Sequence, residues 1–263
     1  MTSSHLHGLS SPADAPGGPD ECLDYERLLS IGVARSGEYA AATPFPHVVI
    51  DDFLSADVLA RVIEEIPPGD EALRWIRWEG NAEDGILAQK GKQHISDDRR
   101  LGRTTRQLMH ELRSAAFLGF LQALTGIHAL LPDPYNLGGG LHLNERGAVL
   151  RIHADFLRHP LLHLERRLNL ILYLNPDWQA AFGGHLELWT ADMAACARRI
   201  APDANRCVIF TTSTSSYHGH PDALACPPGR SRASLAAYYY TNTAPEQPRG
   251  DDLKTLWRNR PSE

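Results

Sequence analysis

The chain has 263 residues, 43% of them hydrophobic and 22% charged, with a formal net charge of −6. That length can bury one generous core, and the composition carries neither the basic excess of a nucleic-acid binder nor an apolar run of bilayer length. The first twenty residues lack a basic start and an apolar signal-peptide core, so a cytoplasmic location is expected. The four cysteines, Cys22, Cys196, Cys207 and Cys226, form no C-x-x-C pair and read as reduced thiols rather than a disulfide frame or a zinc site.

In chain order, residues 1–20 are rich in Ser, Pro, Gly and Ala and read as a flexible tail. The remainder, 21–263, reads as a single domain: helical support and a lid over 21–137, a β-rich core over 138–241 and a C-terminal extension over 242–263. The spacing predicts a helix from Leu23 to Ile31 and a strand from Pro46 to Phe53. A second helix starts at Ser55 as N-cap and presents Val58, Leu59, Val62, Ile63 and Ile66 until Pro67-Pro68-Gly69 stops it. Residues 75–98 show no sustained period and carry three glycines, which predicts a long loop or lid. Leu101, Thr105, Leu108, Leu112, Leu121 and Leu124 recur at helical spacing, with a break near Ser114 and a stop at Gly126. After Gly138-Gly139-Gly140 the texture changes to short β-type segments at 141–144, 148–154, 167–174, 184–189, 206–212 and 232–241, as in a sandwich or jelly roll.

The chemistry centres on Ile152-His153-Ala154-Asp155. Two residues apart on a strand, the imidazole of His153 and the carboxylate of Asp155 leave the same face. Joined by a second histidine from a distant strand, they would make a three-ligand site with open coordination positions for iron(II), although a zinc hydrolase can use similar ligands. An isolated H-x-D is weak evidence. Here it is followed by Tyr173 on a strand, by Gly183-Gly184, by Ser216-Tyr217-His218-Gly219 and by Arg232-Ala233-Ser234 opening the last strand.

This ordered set over about residues 138–241 resembles the prolyl 4-hydroxylase-like, bacterial branch of the iron(II)/2-oxoglutarate-dependent oxygenases. The motifs that carry it include Arg166-Arg167-Leu168-Asn169-Leu170, Tyr173-Leu174-Asn175-Pro176-Asp177-Trp178 and Arg232-Ala233-Ser234-Leu235-Ala236-Ala237-Tyr238, and the segment from Pro44 to Pro67 is similar to bacterial members. The resemblance implies an α+β, predominantly β fold, a double-stranded β-helix of the jelly-roll, cupin-like type with N-terminal helices packed on one side. It implies Fe(2+), 2-oxoglutarate and O2 as cofactors, with ascorbate as a supporting reductant, and His153, Asp155 and His218 as metal ligands and catalytic centre. It further implies that Arg232 holds the far carboxylate of 2-oxoglutarate, with Ser234 and Tyr173 as hydrogen-bond donors. Residue spacing agrees, because Arg232, Ser234, Ala236 and Tyr238 alternate onto one strand face.

Other residues are weighed around that centre. His220 competes with His218, and Arg230 with Arg232, but only Arg232 has a serine two residues on. Asn169 is expected inward beside Tyr173, where bound cosubstrate or substrate would satisfy it. His142 faces inward on the first barrel strand, as a substrate contact or as a satisfied core histidine, and Tyr238 is a further candidate contact. Arg151 and Arg167, each two residues before an inward position, are expected either on the inner face beside an anionic substrate or paired with Glu145, Glu165 or Glu187 at the barrel rim, while Lys90, Lys92, Arg99 and Arg100 add positive charge near the lid. The other histidines, His94, His110, His128, His159, His163 and His185, read as surface or packing residues.

The expected function is hydroxylation of an unactivated C–H bond, with release of succinate and CO2. The substrate is a small, anionic molecule such as an amino acid, nucleotide or natural-product intermediate, with no nucleic-acid or membrane partner. Rival readings are a protein prolyl hydroxylase of the same family, a zinc hydrolase, and a non-catalytic metal-binding or sensing module on this fold.

Overall fold

The computed structural model describes residues 21–69, 71, 75–78, 81–83, 86–242 and 254–261, so the tail expected over 1–20 lies outside the described residues. Helix α1 (Tyr25–Ala41) runs well past the predicted helix, and β1 (His47–Ile50) sits inside the predicted strand. Helix α2 (Ala56–Glu64) begins as expected, with the Ser55 hydroxyl accepting from the Val58 amide. The predicted break divides α3 (Arg103–Glu111) from α4 (Ala115–Thr125). Ser114 caps α4 by accepting from the Phe117 amide, and left-handed Gly126 closes it. Among the described residues, no helix is long and apolar enough to cross a membrane.

The described residues of 75–98 are mostly strand rather than loop. They form β2 (Ile76–Trp78), β3 (Asn81–Glu83) and β4 (Ile86–Ile95), and β4 runs antiparallel to the central strand β6 (Gly140–Ala154). The strand escapes a search for alternation because Gly91, at φ +70°, breaks its phase. Lys90 pairs with Val149 and Lys92 with Asn144, so residues 145–148 bow out of the ladder opposite Gly91. Its inward residues are polar besides, because they line a cavity rather than a core.

The remaining strands are β5 (Leu131–Pro132), β7 (Glu165–Tyr173), β8 (Leu186–Trp189), β9 (Cys196–Ile200), β10 (Cys207–Thr211), β11 (His218–His220), β12 (Arg232–Thr241) and β13 (Leu256–Trp257). They join one antiparallel sheet in the order β1-β10-β7-β12-β6-β11-β8-β9, with β4 and β13 also paired to β6. Along one edge β6 pairs with β12 in its first half and β11 in its second, and along the other with β4 and, at its end, β13. The sheet thereby curls over itself into a double-stranded β-helix, the predicted fold.

Alternation along β7 and β12 divides the molecule. Leu168, Leu170, Leu172, Ala233, Leu235, Ala237 and Tyr239 point outward into one apolar cluster with Leu28 of α1 and Phe117, Phe120, Leu121 and Leu124 of α4. Each fully buried Leu or Phe there contributes roughly 1.5–3 kcal/mol. Tyr239 donates to the Leu112 carbonyl at 2.9 Å and sits 6.2 Å from the Phe117 ring, tying the helical layer to the sheet. The opposite face of the same strands is left for Asn169, Ile171, Arg232, Ser234, Ala236 and Tyr238.

Where β6 begins, Gly140 sits at φ +97°, and an added Cβ would run into the Ile95 carbonyl oxygen of β4. Gly140→Ala is therefore expected to lower the unfolding free energy by about 2–4 kcal/mol. Urea denaturation checks this. A loss below about 0.5 kcal/mol would contradict the close β4–β6 approach.

Candidate active site

His153 stands near the end of β6 and Asp155 just beyond it, while His218 opens β11 directly opposite His153. Cross-strand pairing thus brings together two residues 65 positions apart, and their ring centroids lie 4.5 Å apart. His153 Nε2 is 3.6 Å from Asp155 Oδ1, and His218 Nε2 is 3.4 Å from Asp155 Oδ2. One donor atom from each of the three residues falls within 4.8 Å of the others. His153 Nδ1 lies 2.8 Å from the Arg151 carbonyl, and His218 Nδ1 lies 2.9 Å from the Ser216 carbonyl. A carbonyl only accepts, so both Nδ1 atoms carry the proton and both Nε2 lone pairs face the centre. Burial and neighbouring His153 push His218 down to about 4, which keeps it neutral near neutral pH.

Asp155 is held from behind. Asn169 donates to its Oδ2 at 2.7 Å, and the Arg166 guanidinium reaches the same oxygen at 3.2 Å. Arg166 also donates through Nε to Asn169 Oδ1 at 2.8 Å and is sandwiched between Tyr238, 3.6 Å from the ring centroid, and Phe156, at 4.9 Å. Burial raises a carboxyl pKa, but the Arg166 charge and the two imidazoles outweigh it and hold Asp155 well below the usual range.

Across the cavity, Arg232 is 4% exposed and makes no ion pair among the described residues. It donates to the Gly184 carbonyl at 2.8 Å and to the Tyr173 hydroxyl at 3.2 Å. A guanidinium offers only donors, so the Tyr173 oxygen accepts and its own proton is left to give. Burial raises the Tyr173 pKa, which keeps that proton in place. Arg230, its competitor, is directed to the Pro176 carbonyl on the outside.

His153, Asp155, His218, Arg166, Asn169 and Arg232 line one cavity of about 340 Å³, together with Ser234, Tyr238 and His142, all expected inward, and with His220; Tyr173, also expected inward, is not among the lining residues and meets the site through Arg232. Lys92 and His94 line it too, although His94 reads from sequence as a surface or packing residue. Asn169 is inward as expected, but the group it satisfies is the Asp155 carboxylate.

Arg151 and Arg167 do not line the cavity, and β-bulges account for both. On β6, His153 faces His218 and Leu150 faces His220, which leaves one extra residue between them and turns Arg151 away toward Asn259. On β7, Leu168 pairs with Tyr239 and Arg166 with Tyr240. Arg167 is the extra residue, and it reaches Thr241 while Arg166 takes the inward position. Strict alternation names the wrong arginine of the pair. Lys92, expected as positive charge near the lid, lines the cavity from a strand that the same kind of irregularity concealed, and Trp257, whose ring lies 4.9 Å from that of His153, was hidden by its distance along the chain.

Comparison with known proteins agrees with this geometry. Residues 139–240 match the model of the 2OG-Fe(II) oxygenase superfamily. Those residues are a 2OG-Fe(II) oxygenase domain. The chain is similar to the prolyl 3-hydroxylase OGFOD1 of Xenopus laevis, with 31% identity over 80% of this chain but 38% of that protein, so it spans well under half of that relative's length. Among solved structures, a prolyl-4-hydroxylase from Pseudomonas putida aligns with TM-score 0.55 and 22% identity, covering 82% of this chain and 100% of that one. A prolyl hydroxylase from Trichoplax adhaerens, in complex with a hypoxia inducible factor peptide fragment, aligns with TM-score 0.55 and 14% identity over 84% and 92% of the two chains. These likenesses place the oxygenase domain in the prolyl 4-hydroxylase-like fold.

Asn169→Ala removes one of the two groups that hold Asp155 Oδ2. In the oxygenase domain it is expected to weaken manganese(II) affinity by about tenfold or more while leaving the fold intact. Calorimetric titration checks this, and an unchanged affinity would separate Asn169 from the candidate metal centre.

Proposed function

We propose that this chain is an iron(II)- and 2-oxoglutarate-dependent dioxygenase that hydroxylates an unactivated C–H bond of a small molecule. One observation carries the reading: a half-buried carboxylate flanked by two oriented imidazoles shares a cavity with a buried guanidinium that has no ion-pair partner among the described residues. Two nitrogens and one carboxylate oxygen are the donor set of non-haem iron(II) oxygenases, and they leave coordination positions open. The unpaired guanidinium fits the far end of a dicarboxylate.

His153, Asp155 and His218 would hold the iron, and Arg232, Tyr173 and Ser234 the distal carboxylate of 2-oxoglutarate. Bound together, iron and 2-oxoglutarate supply the oxidising chemistry, in which O2 gives one atom to succinate and one to the substrate C–H as CO2 leaves. The protein's own part is orientation. The Arg151 and Ser216 carbonyls fix the two imidazoles, Arg166 and Asn169 fix Asp155, and the apolar wall of Phe156, Leu186 and Trp257 limits water at the centre.

A second reading, hydroxylation of a prolyl residue in a protein, is favoured by the similarity to a protein named prolyl 3-hydroxylase. The cavity volume suits a small molecule or one side chain beside the cosubstrate. Wild-type protein is expected to convert 2-oxoglutarate to succinate only with iron(II), and a panel of small molecules and proline-containing peptides that stimulate this turnover decides between the two readings. Arg232→Ala is expected to raise the 2-oxoglutarate dissociation constant by at least about tenfold. Iron-independent succinate release, or unchanged 2-oxoglutarate affinity in that variant, would contradict the assignment.

A further inference from the structure

Two rungs of the sheet cross the cavity wall. In the first, Lys92 on β4 faces Asn144 on β6, which faces Arg232 on β12. In the second, His94 faces His142, which faces Ser234. The strand carrying Arg232 and Ser234 therefore has a counterpart on the far side of β6, and that counterpart brings a cation of its own.

Lys92 makes no hydrogen bond or ion pair among the described residues. Burial pushes its pKa down to about 8, Asp155 works against that shift, and Arg166 adds to it. The charged residues lining the cavity are Lys92, Arg166 and Arg232 against Asp155 alone. Iron(II) and doubly charged 2-oxoglutarate cancel each other, so loading the site leaves two positive charges uncompensated. Arg166 is already held by Asp155, Asn169 and Tyr238, whereas Lys92 has no direct hydrogen-bond or ion-pair partner among the described residues. An isolated cation in a cavity wall is costly until an anion meets it.

A second observation points to a polar ligand at the same wall. His142 Nε2 and His220 Nδ1 are buried without a hydrogen-bond partner among the described residues, and both residues line the cavity. Orphaned buried polar atoms are rare where no ligand is bound to them in function. The aromatic rings of Tyr135, Phe156 and Trp257 offer apolar surface nearby for the body of such a ligand.

Resting on the hydroxylase reading above, we propose that Lys92 docks an anionic group, a carboxylate or a phosphate, on the primary substrate and so selects small anions. The anion sits across β6 from the cosubstrate's own anchor, which lets the two carboxylate-bearing molecules occupy separate cations.

The test uses full-length protein loaded with manganese(II) and saturated with 2-oxoglutarate, so that Arg232 is occupied before any probe is added. Acetate, methyl phosphate and uncharged acetamide are then titrated, and binding is read from paramagnetic broadening of their methyl proton signals. Acetate or methyl phosphate is expected to bind and acetamide not, the tighter of the two anions showing which group the substrate carries. Lys92→Met is expected to weaken anion binding at least about tenfold with 2-oxoglutarate affinity unchanged, and Lys92→Arg to restore it to within about threefold. Equal binding of acetamide and the anions, or undiminished anion binding in Lys92→Met, would overturn the proposal. Loss of 2-oxoglutarate affinity in Lys92→Met, with the probes unaffected, would also overturn it by moving Lys92 to the cosubstrate. A wild-type protein that takes up no 2-oxoglutarate, measured first, would overturn the hydroxylase reading itself.

Discussion

The Asp155 carboxylate is a negative charge kept largely from water, and the inner face of the molecule is organised around compensating it. Left alone, a buried carboxylate is strongly destabilising and takes up a proton instead. Here Asn169 and Arg166 converge on one oxygen, which keeps the group ionised and fixes its plane. The other oxygen faces His153 Nε2. Arg166 in turn is oriented by Asn169 and by the rings of Tyr238 and Phe156, so Arg166 and Asn169 of β7 and Tyr238 of β12 are committed to holding one charge.

That commitment is affordable only because the outward faces of the same strands are apolar. Leu168, Leu170, Leu235 and Tyr239 lock β7 and β12 against α1 and α4, and the pairing of the two strands then sets where Asn169 and Tyr238 stand. Bulges modify this scheme where chemistry needs them. The extra residue at Arg151 lets Leu150 and His153 share a face, and the extra residue at Arg167 brings Arg166 inward behind Asp155. The first lies two residues before His153, and the second adjoins Arg166, which touches Asp155, so at both a regular ladder would aim the wrong side chain.

Most of the architecture was legible in the sequence because it rests on local signals. Ser55, Ser114 and Gly126 mark helix ends through capping chemistry that needs no tertiary contact. The shared face of His153 and Asp155 followed from strand periodicity, and the choice of His218 from the family resemblance. What was not legible depended on pairing between distant strands. Nothing near Arg166-Arg167 announces which arginine a bulge will expel, since the register is set by β12 some seventy residues on. The polar run around Lys92 and His94 read as a lid because a strand that lines a polar cavity loses the alternation by which strands are recognised. Trp257 reaches His153 through a two-residue strand too short to leave a periodic signature.

The account turns on His153, Asp155 and His218 holding one metal ion together. The most direct measurement is anaerobic iron(II) binding to wild-type protein and to Asp155→Ala, read as iron bound per chain at equilibrium. One iron per chain in the wild type, with affinity lost by at least about a hundredfold in the variant, is the predicted result. An Asp155→Ala variant that still binds one iron with wild-type affinity would contradict it.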